Sequence, residues 1–383
     1  MSDTQKHNKP NVPNLRFPEF SGEWIITTIG DLCEEFQSGK GIKANQIKEE
    51  APFPVYGGNG LRGYADYYNH DGLYSLIGRQ GAKCGNVRLV SGKSYITEHA
   101  IVVKANTKNV TEFLSWLFVN MNLGQYSDQS AQPGLAVNKL IKLQAFIPDK
   151  SEQSKIARLL SLLEERIETQ NKVIEDLSSL EKEFINMVFA EMKEKCMPLS
   201  AVSQRIVTRN VSSVCNNVLT ISAKDGLVSQ LDYFNKSVAS QNLNNYYLLH
   251  KGDFAYNKSY SSDYPWGAVK HLESYEQGVL SPLYFCFRID SKKIDIEYLQ
   301  LYFDSEMWHK YISEISVEGA RNHGLLNMSV ADFMQMPIPV PPHKKQIKIV
   351  DKLMHFRNKR IIEQRYAKEL EKQKKYLLNG LFL

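Results

Sequence analysis

One segment of this chain occurs twice. When the sequence is shifted by 193 positions, residues 148–189 align without a gap on residues 341–382, and nine of the 42 aligned positions are identical. The polar residue Gln153, for example, falls on Gln346. A period of this length is far longer than any solenoid repeat, so the repeating unit is a module of domain size. The sequence therefore predicts a duplicated protein.

Each copy of the repeated segment has the pattern of a long helix with one apolar stripe. Residues 151–195 contain no proline or glycine, and their apolar side chains recur at spacings of three and four. This spacing is typical of a coiled coil, in which two such stripes bury each other. The residues predicted to pair the two helices are Ile156, Leu160, Leu163, Ile167, Ile174, Leu177, Ile349, Leu353, Phe356, Leu370, Leu377 and Leu381.

The two helical segments carry opposite net charges. Residues 151–195 hold seven basic and ten acidic side chains, whereas residues 343–383 hold twelve basic and four acidic ones. Opposite charge favours pairing between the two segments over pairing of either with itself, and its distribution along them favours an antiparallel arrangement. In the antiparallel register that aligns the stripes end to end, Glu181 and Arg360 lie in adjacent layers. We expect them to form a charge pair.

The rest of the chain consists of two blocks that share an order of parts. Both contain short strand-like runs, then a helical segment, then a polar Gly-rich loop before the long helix. In the first block these parts include “YITEHAIVVK”, “TEFLSWLFVNM” and “SAQPGLAVNK”, and in the second “LSPLYFCFRID”, “IEYLQLYFDSEMWHKYI” and “ARNHGLLNMS”. The predicted fold class is α/β (α+β), with a pseudo-two-fold internal repeat and an antiparallel coiled coil. The predicted segments are block 1–147, central helix 148–195, block 196–340 and distal helix 341–383.

The sequence shows no constellation of catalytic residues. Its nine histidines lack metal-binding spacings and its five cysteines form no C-x-x-C pair, so we expect no metal site. The stretch “NKSY” from Asn257 resembles the N-P-P-Y loop of adenine methyltransferases, but both prolines are missing. No signal peptide or membrane-spanning run is evident, which predicts a cytoplasmic protein.

The polar loops of both blocks suit a polyanion. The net charge is +5, and the loops are rich in Asn, Gln, Arg and Lys. Arg and Lys match guanine edges, Asn and Gln match adenine, and Ser or backbone amides match phosphates. The predicted DNA-contacting residues are Lys40, Lys43, Asn59, Arg62, Arg79, Gln80, Lys83, Gln129, Gln132, Arg209, Asn210, Lys258, Ser259, Tyr260, Arg321, Asn322 and His323.

Several motifs, in this order, resemble a known family. They are “PNLRFPEFSGEW”, “PVYGGNGLRGYAD”, “SLIGRQGAKCGNV”, “FIPDKSEQSKIARLLSLLEERI” and the terminal helix that repeats the last of these. Their order and duplication resemble the specificity (S) subunits of type I restriction-modification systems over essentially the whole chain.

The resemblance implies two target-recognition domains, each reading one half of a split double-stranded DNA site. The paired helices would dock two methyltransferase (M) subunits, and restriction/translocase (R) subunits would join outside them. No catalytic residue or cofactor is implied for this chain, because SAM, ATP and Mg²⁺ are used by the partner subunits. Two alternatives remain open at this point: a self-sufficient adenine DNA methyltransferase, and a coiled-coil scaffold protein without DNA affinity.

Overall fold

A computed structural model describes residues 11–81, 83–128, 134–234, 243–316 and 324–383. The helices are α1 (Ile29–Leu32), α2 (Thr111–Asn120), α3 (Val137–Leu140), α4 (Lys150–Ala190), α5 (Leu199–Val202), α6 (Gln230–Phe234), α7 (Ile296–Asp304), α8 (His309–Ile315), α9 (Val330–Met334) and α10 (His343–Leu381). Short 3₁₀ turns occupy Ala44–Gln46, Leu123–Tyr126 and Val211–Ser213.

The described residues also form strands. They are β1 (Ile25–Thr28), β2 (Cys33–Ser38), β3 (Phe53–Gly57), β4 (Gly60–Ala65), β5 (His70–Asp71), β6 (Tyr74–Gly78), β7 (Val87–Val90), β8 (Lys93–Ile96), β9 (Ala100–Ala105), β10 (Gln144–Ile147), β11 (Cys196–Pro198), β12 (Ser203–Arg205), β13 (Leu219–Ser222), β14 (Gly226–Ser229), β15 (Tyr247–His250), β16 (Phe254–Asn257), β17 (Ala268–His271), β18 (Gln277–Leu280), β19 (Phe285–Ile289) and β20 (Pro337–Pro339).

The chain forms two compact units. Unit 1 comprises Met1–Lys172 and Arg365–Leu383, and unit 2 comprises Val173–Gln364. Each unit therefore holds one of the two blocks together with a part of α4 and a part of α10. The four segments predicted from the sequence separate the blocks from the helices, whereas the compact units divide both helices.

Unit 1 contains two four-stranded sheets. The first has the order β2-β9-β6-β7 and is antiparallel, and the second has the order β4-β3-β8-β5, in which β3 and β8 run parallel. In the first sheet Ile77, Ile101 and Val103 belong to the apolar cluster that includes α2, whereas Leu76 and Val102 belong to a separate buried cluster. Because both faces of β6 and β9 are covered, these strands are apolar almost without interruption.

Unit 2 repeats this arrangement. Its first sheet has the order β12-β19-β16-β17, which corresponds strand for strand to the first sheet of unit 1. Val218 bridges Val279 in parallel, and this contact joins the hairpin β13–β14 to the pair β15–β18 as β3 joins β8 in unit 1. The mixed α/β class and the duplicated frame predicted from the sequence are confirmed.

Two predicted elements are divided in the structure. The run “YITEHAIVVK” forms β8 and β9 rather than one strand, because the polar residues Thr97–His99 make a turn between them. The run “IEYLQLYFDSEMWHKYI” forms α7 and α8 rather than one helix. The hydroxyl of Ser305 donates to the carbonyl of Tyr302, which ends α7, and the ring of Trp308 is buried in the core of unit 2.

The long helices pair in antiparallel fashion within each unit. In unit 1 the start of α4 packs on the end of α10, and in unit 2 the ring of Phe184 lies 5.5 Å from that of Phe356. Among the predicted pairing residues, those that are buried are Ile156, Leu160, Leu163, Ile167, Ile349, Leu353, Leu370 and Leu381, and those that are half-buried are Ile174, Leu177, Phe356 and Leu377.

Ion pairs join the two helices in each unit. Arg360 Nε lies 3.1 Å from Glu181 Oε2, which is the pair expected from the sequence, and Arg357 Nε lies 2.7 Å from Glu181 Oε1. In unit 1 Lys374 Nζ lies 2.9 Å from Glu164 Oε2. The 193-residue shift places Glu164 on Arg357 and Glu181 on Lys374. The two pairs therefore occupy equivalent positions, and α4 supplies the acid in both.

A buried glutamine attaches each block to the start of its long helix. The amide oxygen of Gln153 accepts from the N-cap N–H of α2 at 3.1 Å, and its nitrogen donates to the carbonyl of Pro148 at 3.0 Å. Gln346 makes the same two bonds, at 2.7 Å to the N-cap N–H of α7 and at 2.8 Å to Pro341. The sequence repeat contained these identities, but their role is visible only in the structure.

The opening motif “PNLRFPEFSGEW” contacts both long helices of unit 1. Arg16 Nη2 lies 2.7 Å from Glu152 Oε2 at the start of α4, and the N–H of Leu15 donates to the carbonyl of Gly380 near the end of α10. A Cβ on Gly380 would lie 2.4 Å from the side chain of Leu15, so only glycine permits this approach. The motif thus connects the two helix ends on which the first block is built.

Candidate nucleic-acid interface

The strands of unit 1 bring several loops together at one end of its sheets. Residues 79–86 join β6 to β7, and the turn Thr97–His99 joins β8 to β9. The N–H of Arg79 donates to the carbonyl of His99 at 2.9 Å, so the two loops are in contact. A Cβ on Gly58, between β3 and β4, would lie 2.7 Å from the carbonyl oxygen of His99. Glycine is therefore required where the three connections meet.

The described residues predicted to contact DNA in the first block lie on these connections and on the loop after β2, except Arg62, which lies on β4. The N–H of Lys40 donates to the carbonyl of Ile96 at 3.0 Å, which holds that loop beside β8. Arg62 passes over Gly57, where a Cβ would lie 2.7 Å from its Cδ. Arg79 is half-buried, and the exposed residues are Lys40, Lys43, Asn59, Arg62, Gln80 and Lys83.

The Gly-rich segment before α3 also reaches this end of unit 1. Gly134 forms a β-bridge with Gln80, and the N–H of Leu135 donates to the carbonyl of Arg79 at 2.9 Å. The predicted residues Gln129 and Gln132 lie outside the described residues.

A half-buried thiol shapes the loop between β6 and β7. Cys84 Sγ lies 3.3 Å from the carbonyl oxygen of Arg79, to which the thiol donates. Burial raises the pKa of Cys84, so the thiol stays protonated and keeps this hydrogen bond near neutral pH. The bond closes the loop upon itself and presents Gln80 and Lys83 on the outside.

Three residues at this surface were not predicted from the sequence. His99 Nδ1 lies 3.0 Å from Gln80 Oε1, and His99 Nε2 lies 3.4 Å from Glu98 Oε1. Arg88 lies beside Gly60, where a Cβ would be 3.3 Å from its Nη2. The signal for Glu98 and His99 was the polar interruption of the apolar run “YITEHAIVVK”, which marks a turn rather than a strand.

In unit 2 the loop from Asn257 to Gly267 takes the place of the loop between β6 and β7. The N–H of Tyr260 donates to the carbonyl of Gly324 at 3.0 Å, and Ser259 forms a β-bridge with Leu325. The Gly-rich segment before α9 therefore contacts this loop as its counterpart does in unit 1. The predicted residues Arg321, Asn322 and His323 lie outside the described residues.

The side chains of this loop combine a cation with exposed aromatic rings. Lys258 Nζ lies 5.0 Å from the ring centre of Phe285 and is half-buried. Ser259 is exposed, Tyr260 is 53% exposed and Tyr264 is 41% exposed. Tyr264 was not among the predicted residues. The sequence signal that could have indicated it is the group of aromatic residues in “NKSYSSDYPW”, where Tyr260 and Trp266 accompany it.

The two remaining predicted residues of the second block differ in their surroundings. Arg209 is exposed, donates from Nη1 to the carbonyl of Asn245, and lies 5.5 Å from the ring of Tyr247. Tyr247 pairs with Leu280, the last residue of β18, and the chain continues from there to β19. The start of β19 pairs with the end of β16. Arg209 therefore lies at the same end of the sheets as the loop after β16.

The placement of Asn210 contradicts its prediction as a surface residue. Asn210 is 0% exposed, and its amide donates to the carbonyl of Cys215 at 2.8 Å and accepts from the N–H of Cys215 at 3.0 Å. Both ends of the side chain are used to close a loop of the fold, so it has no free edge to present to DNA.

Within the part of the chain that the structure describes, no three His, Cys, Asp or Glu side chains come together as metal ligands. Among the described helices, none has the length and apolar character needed to cross a membrane.

Comparison with known proteins links the chain to one family. Residues 21–179 match the type I restriction modification DNA specificity domain. The specificity subunit of the type I restriction enzyme EcoprrI from Escherichia coli is 39% identical over 178 residues, which are 45% of this chain and 44% of that relative. The chain thus matches less than half the length of this relative. The specificity subunit of MjaVIII from Methanocaldococcus jannaschii is 21% identical over 426 residues, covering 98% and 95% of the two chains.

A solved structure extends the likeness of fold to the whole chain. The crystal structure of the type I restriction-modification S subunit from M. genitalium covers 97% of this chain and 99% of its own, with a TM-score of 0.61 and 15% identity. Residues 21–179 are therefore similar to the type I restriction modification DNA specificity domain, and the chain is similar in fold to this S subunit over nearly its whole length.

Proposed function

We propose that this chain is the DNA sequence-specificity subunit of a type I restriction-modification complex and binds a bipartite, asymmetric site on double-stranded DNA. The observation that carries the proposal is that units 1 and 2 have the same strand order but different loops at the same end of their sheets. A shared frame places two readers in the same manner, and different loops read different bases. The two half-sites need not match in sequence.

The charge and chemistry of the loops support DNA as the ligand. The surface of unit 1 carries the cations Lys40, Lys43, Arg62, Arg79, Lys83 and Arg88, and that of unit 2 carries Lys258 and Arg209. Cationic side chains supply phosphate attraction that is independent of sequence, while Arg, Gln and Asn edges distinguish bases. Asn210 is excluded from this set because of its burial.

We further propose that α4 and α10 dock two M subunits, with R subunits joining outside them. The support is a set of exposed apolar side chains on these helices beyond the paired stripe. They include Leu162, Leu180, Met187, Ile362 and Tyr376, which are 44%, 52%, 48%, 62% and 65% exposed. Exposed apolar patches on long helices are typical of protein interfaces.

In this proposal the chain performs no catalysis and binds no cofactor. SAM, ATP and Mg²⁺ are used by the partner subunits, and the cytoplasm is where the complex meets its DNA. The chain then contributes only the positioning of the partner subunits and the preference for one DNA sequence.

The test is an exchange of residues 196–340 for the corresponding block of another S subunit, followed by sequencing of methylated sites in a host expressing the complete system. We expect one half of the site to change and the other half to stay the same. The reciprocal exchange of residues 1–147 is the matched control and should change only the other half. A site that is unchanged by both exchanges would contradict the proposal.

A further inference from the structure

We propose that Glu98 reads an exocyclic amino group, on cytosine or adenine, in the half-site bound by unit 1. This inference rests on the proposed function, because it requires DNA to lie on the loops at this end of the sheets. Glu98 occupies the middle of the turn Thr97–His99. That turn contacts the loop after β6 through the bond from Arg79, so Glu98 lies within the surface and not at its edge.

The charge of Glu98 is opposite to that of its surroundings. The neighbouring loops present Lys40 and Lys83, β4 presents Arg62, and a carboxylate among these cations weakens the general attraction for phosphates. Such a group is useful on a DNA-binding surface when it meets a hydrogen-bond donor. In the major groove the donors are the amino groups of cytosine and adenine, whereas guanine and thymine present acceptors there. A carboxylate at this place therefore discriminates between bases.

A line of side chains holds the carboxylate in place. Gln80 Oε1 lies 3.0 Å from His99 Nδ1, and His99 Nε2 lies 3.4 Å from Glu98 Oε1. The Glu98 side chain is 42% exposed, so it is reachable from outside while being restrained from one side. When both ring nitrogens of His99 carry a proton, His99 acts as a positioning residue, and the restraint lowers the entropy lost when Glu98 meets a base.

Glu98 also has hydrogen-bonding capacity that the protein does not use. Its Oε2 atom is buried and has no hydrogen-bond partner among the described residues. A Cβ on Gly41 would lie 3.8 Å from that atom, so the loop after β2 closes over it. A donor on DNA cannot reach a covered atom, so Oε1 is the oxygen of this carboxylate that a base amino group would meet.

The test compares Glu98→Ala with Glu34→Ala in the complete complex. Glu34 is an exposed carboxylate on β2, near the opposite end of the same sheet, and pairs with Lys104 at 3.5 Å. Both substitutions remove one negative charge, but only Glu98→Ala removes it from the proposed surface. Thermal unfolding of each variant shows whether the fold is retained.

We expect Glu98→Ala to lower the preference for cytosine or adenine at one position of one half-site by about tenfold, within the range for a single base contact. Sequencing of methylated DNA from hosts expressing each variant measures this preference. The other half-site should stay the same, and Glu34→Ala should leave the whole site unchanged. If Glu98→Ala is folded and its site matches the wild-type site at every position, the role of Glu98 is refuted.

Failure of the broader proposal gives a different result. If the methylated site stays unchanged in both block exchanges, the chain does not determine sequence, and the role of Glu98 fails with it. If the exchanges alter the site but Glu98→Ala does not, only the role of Glu98 is wrong.

Discussion

Two buried glutamines show how single residues maintain the repeated frame. Gln153 and Gln346 are 1% and 0% exposed, and each joins the N-cap of a helix in its block to a proline carbonyl at the start of its long helix. These backbone groups are hidden from water, so they need a partner within the protein. The glutamine is the same in both copies although most aligned residues differ. Its amide offers both a donor and an acceptor at the end of a side chain of the required length.

Replacing Gln346 by alanine should destabilise unit 2. The change leaves the N–H of Asp295 and the carbonyl of Pro341 without their present partner, which costs about 1–3 kcal/mol of the free energy of unfolding. Denaturant unfolding measures this loss. Gln373→Ala, at an exposed position of α10, is the matched control and should change the free energy by less than about 0.5 kcal/mol. Equal effects of the two substitutions would contradict the role of Gln346.

At the scale of single residues, the sequence predicted types of side chain better than their surroundings. Lys40 and Gln80 lie on exposed loops and Arg62 at an exposed position of β4, as their polarity suggested. Asn210 has the same base-reading chemistry but is buried, because an amide that can pair with a base edge can also pair with a backbone. That choice depends on the path of the loop, which local sequence does not define.

The charges on α4 and α10 determine which helices pair. Glu164 and Glu181 are both on α4, while their partners Lys374 and Arg357 are both on α10. Under the 193-residue shift, pairing of α4 with another α4 would place Glu164 against Glu181, and pairing of α10 with another α10 would place two cations together. Like charges at such positions disfavour those pairs. The helices are thus distinguished although their apolar stripes are alike.

Reversal of Glu181 should therefore be rescued by a second reversal. Glu181→Arg places a third cation beside Arg357 and Arg360, and because Glu181 is only 7% exposed we expect a loss of roughly 3–5 kcal/mol. Adding Arg360→Glu should recover part of it, since this change leaves the pair between Arg357 and Asp304 intact. Thermal unfolding of the single and double variants measures the recovery. A double variant no more stable than Glu181→Arg would argue against a pair between positions 181 and 360.

The ion network of unit 2 predicts a loss of stability in acid. Burial alone would raise the pKa of Asp304, but Lys270 and Arg357 lower it below its usual value. A lowered pKa means that the carboxylate stabilises the fold above the unfolded pKa of about 4 and loses this effect as pH falls through the folded value. The difference in melting temperature between wild type and Asp304→Asn should therefore be largest near pH 7 and shrink below about pH 4. A difference independent of pH would contradict this assignment.

At the scale of elements, periodicity predicted the helices more completely than the strands. The spacing of three and four in the repeated segment is long enough to identify α4 and α10, and their opposite charges indicated the antiparallel pairing. The strands β8 and β9 were predicted as one run, because buried strands lack the alternation of polar and apolar residues, and the polar residues Thr97–His99 were the one signal that separates them. The parallel pairing of β3 with β8 joins segments that are far apart in the sequence, and no local sequence pattern predicts it.

For the molecule as a whole, duplication accounts for the strand order that the two units share, and divergence after duplication accounts for the loops in which they differ. The strand order of the two units is the same, while the loop after β6 carries “GRQGAKCGN” and the loop after β16 carries “NKSYSSDYPWG”. Under the proposed function, a repeated frame would suit two identical partners that dock in the same manner, and unlike loops would suit two unlike half-sites. Residues cannot be transferred from one reading loop to the other by alignment, because only the frame has been retained.

The most direct test of this account is the set of sites methylated in a host that expresses the complete wild-type system. The account predicts a bipartite and non-palindromic site, with two unlike half-sites about 10 base pairs apart centre to centre, the distance of one turn of DNA. Long-read sequencing of methylated bases gives this site without assumptions about its form. A continuous palindrome, or methylation without sequence preference, would contradict the claim that two diverged units each read one half of the site.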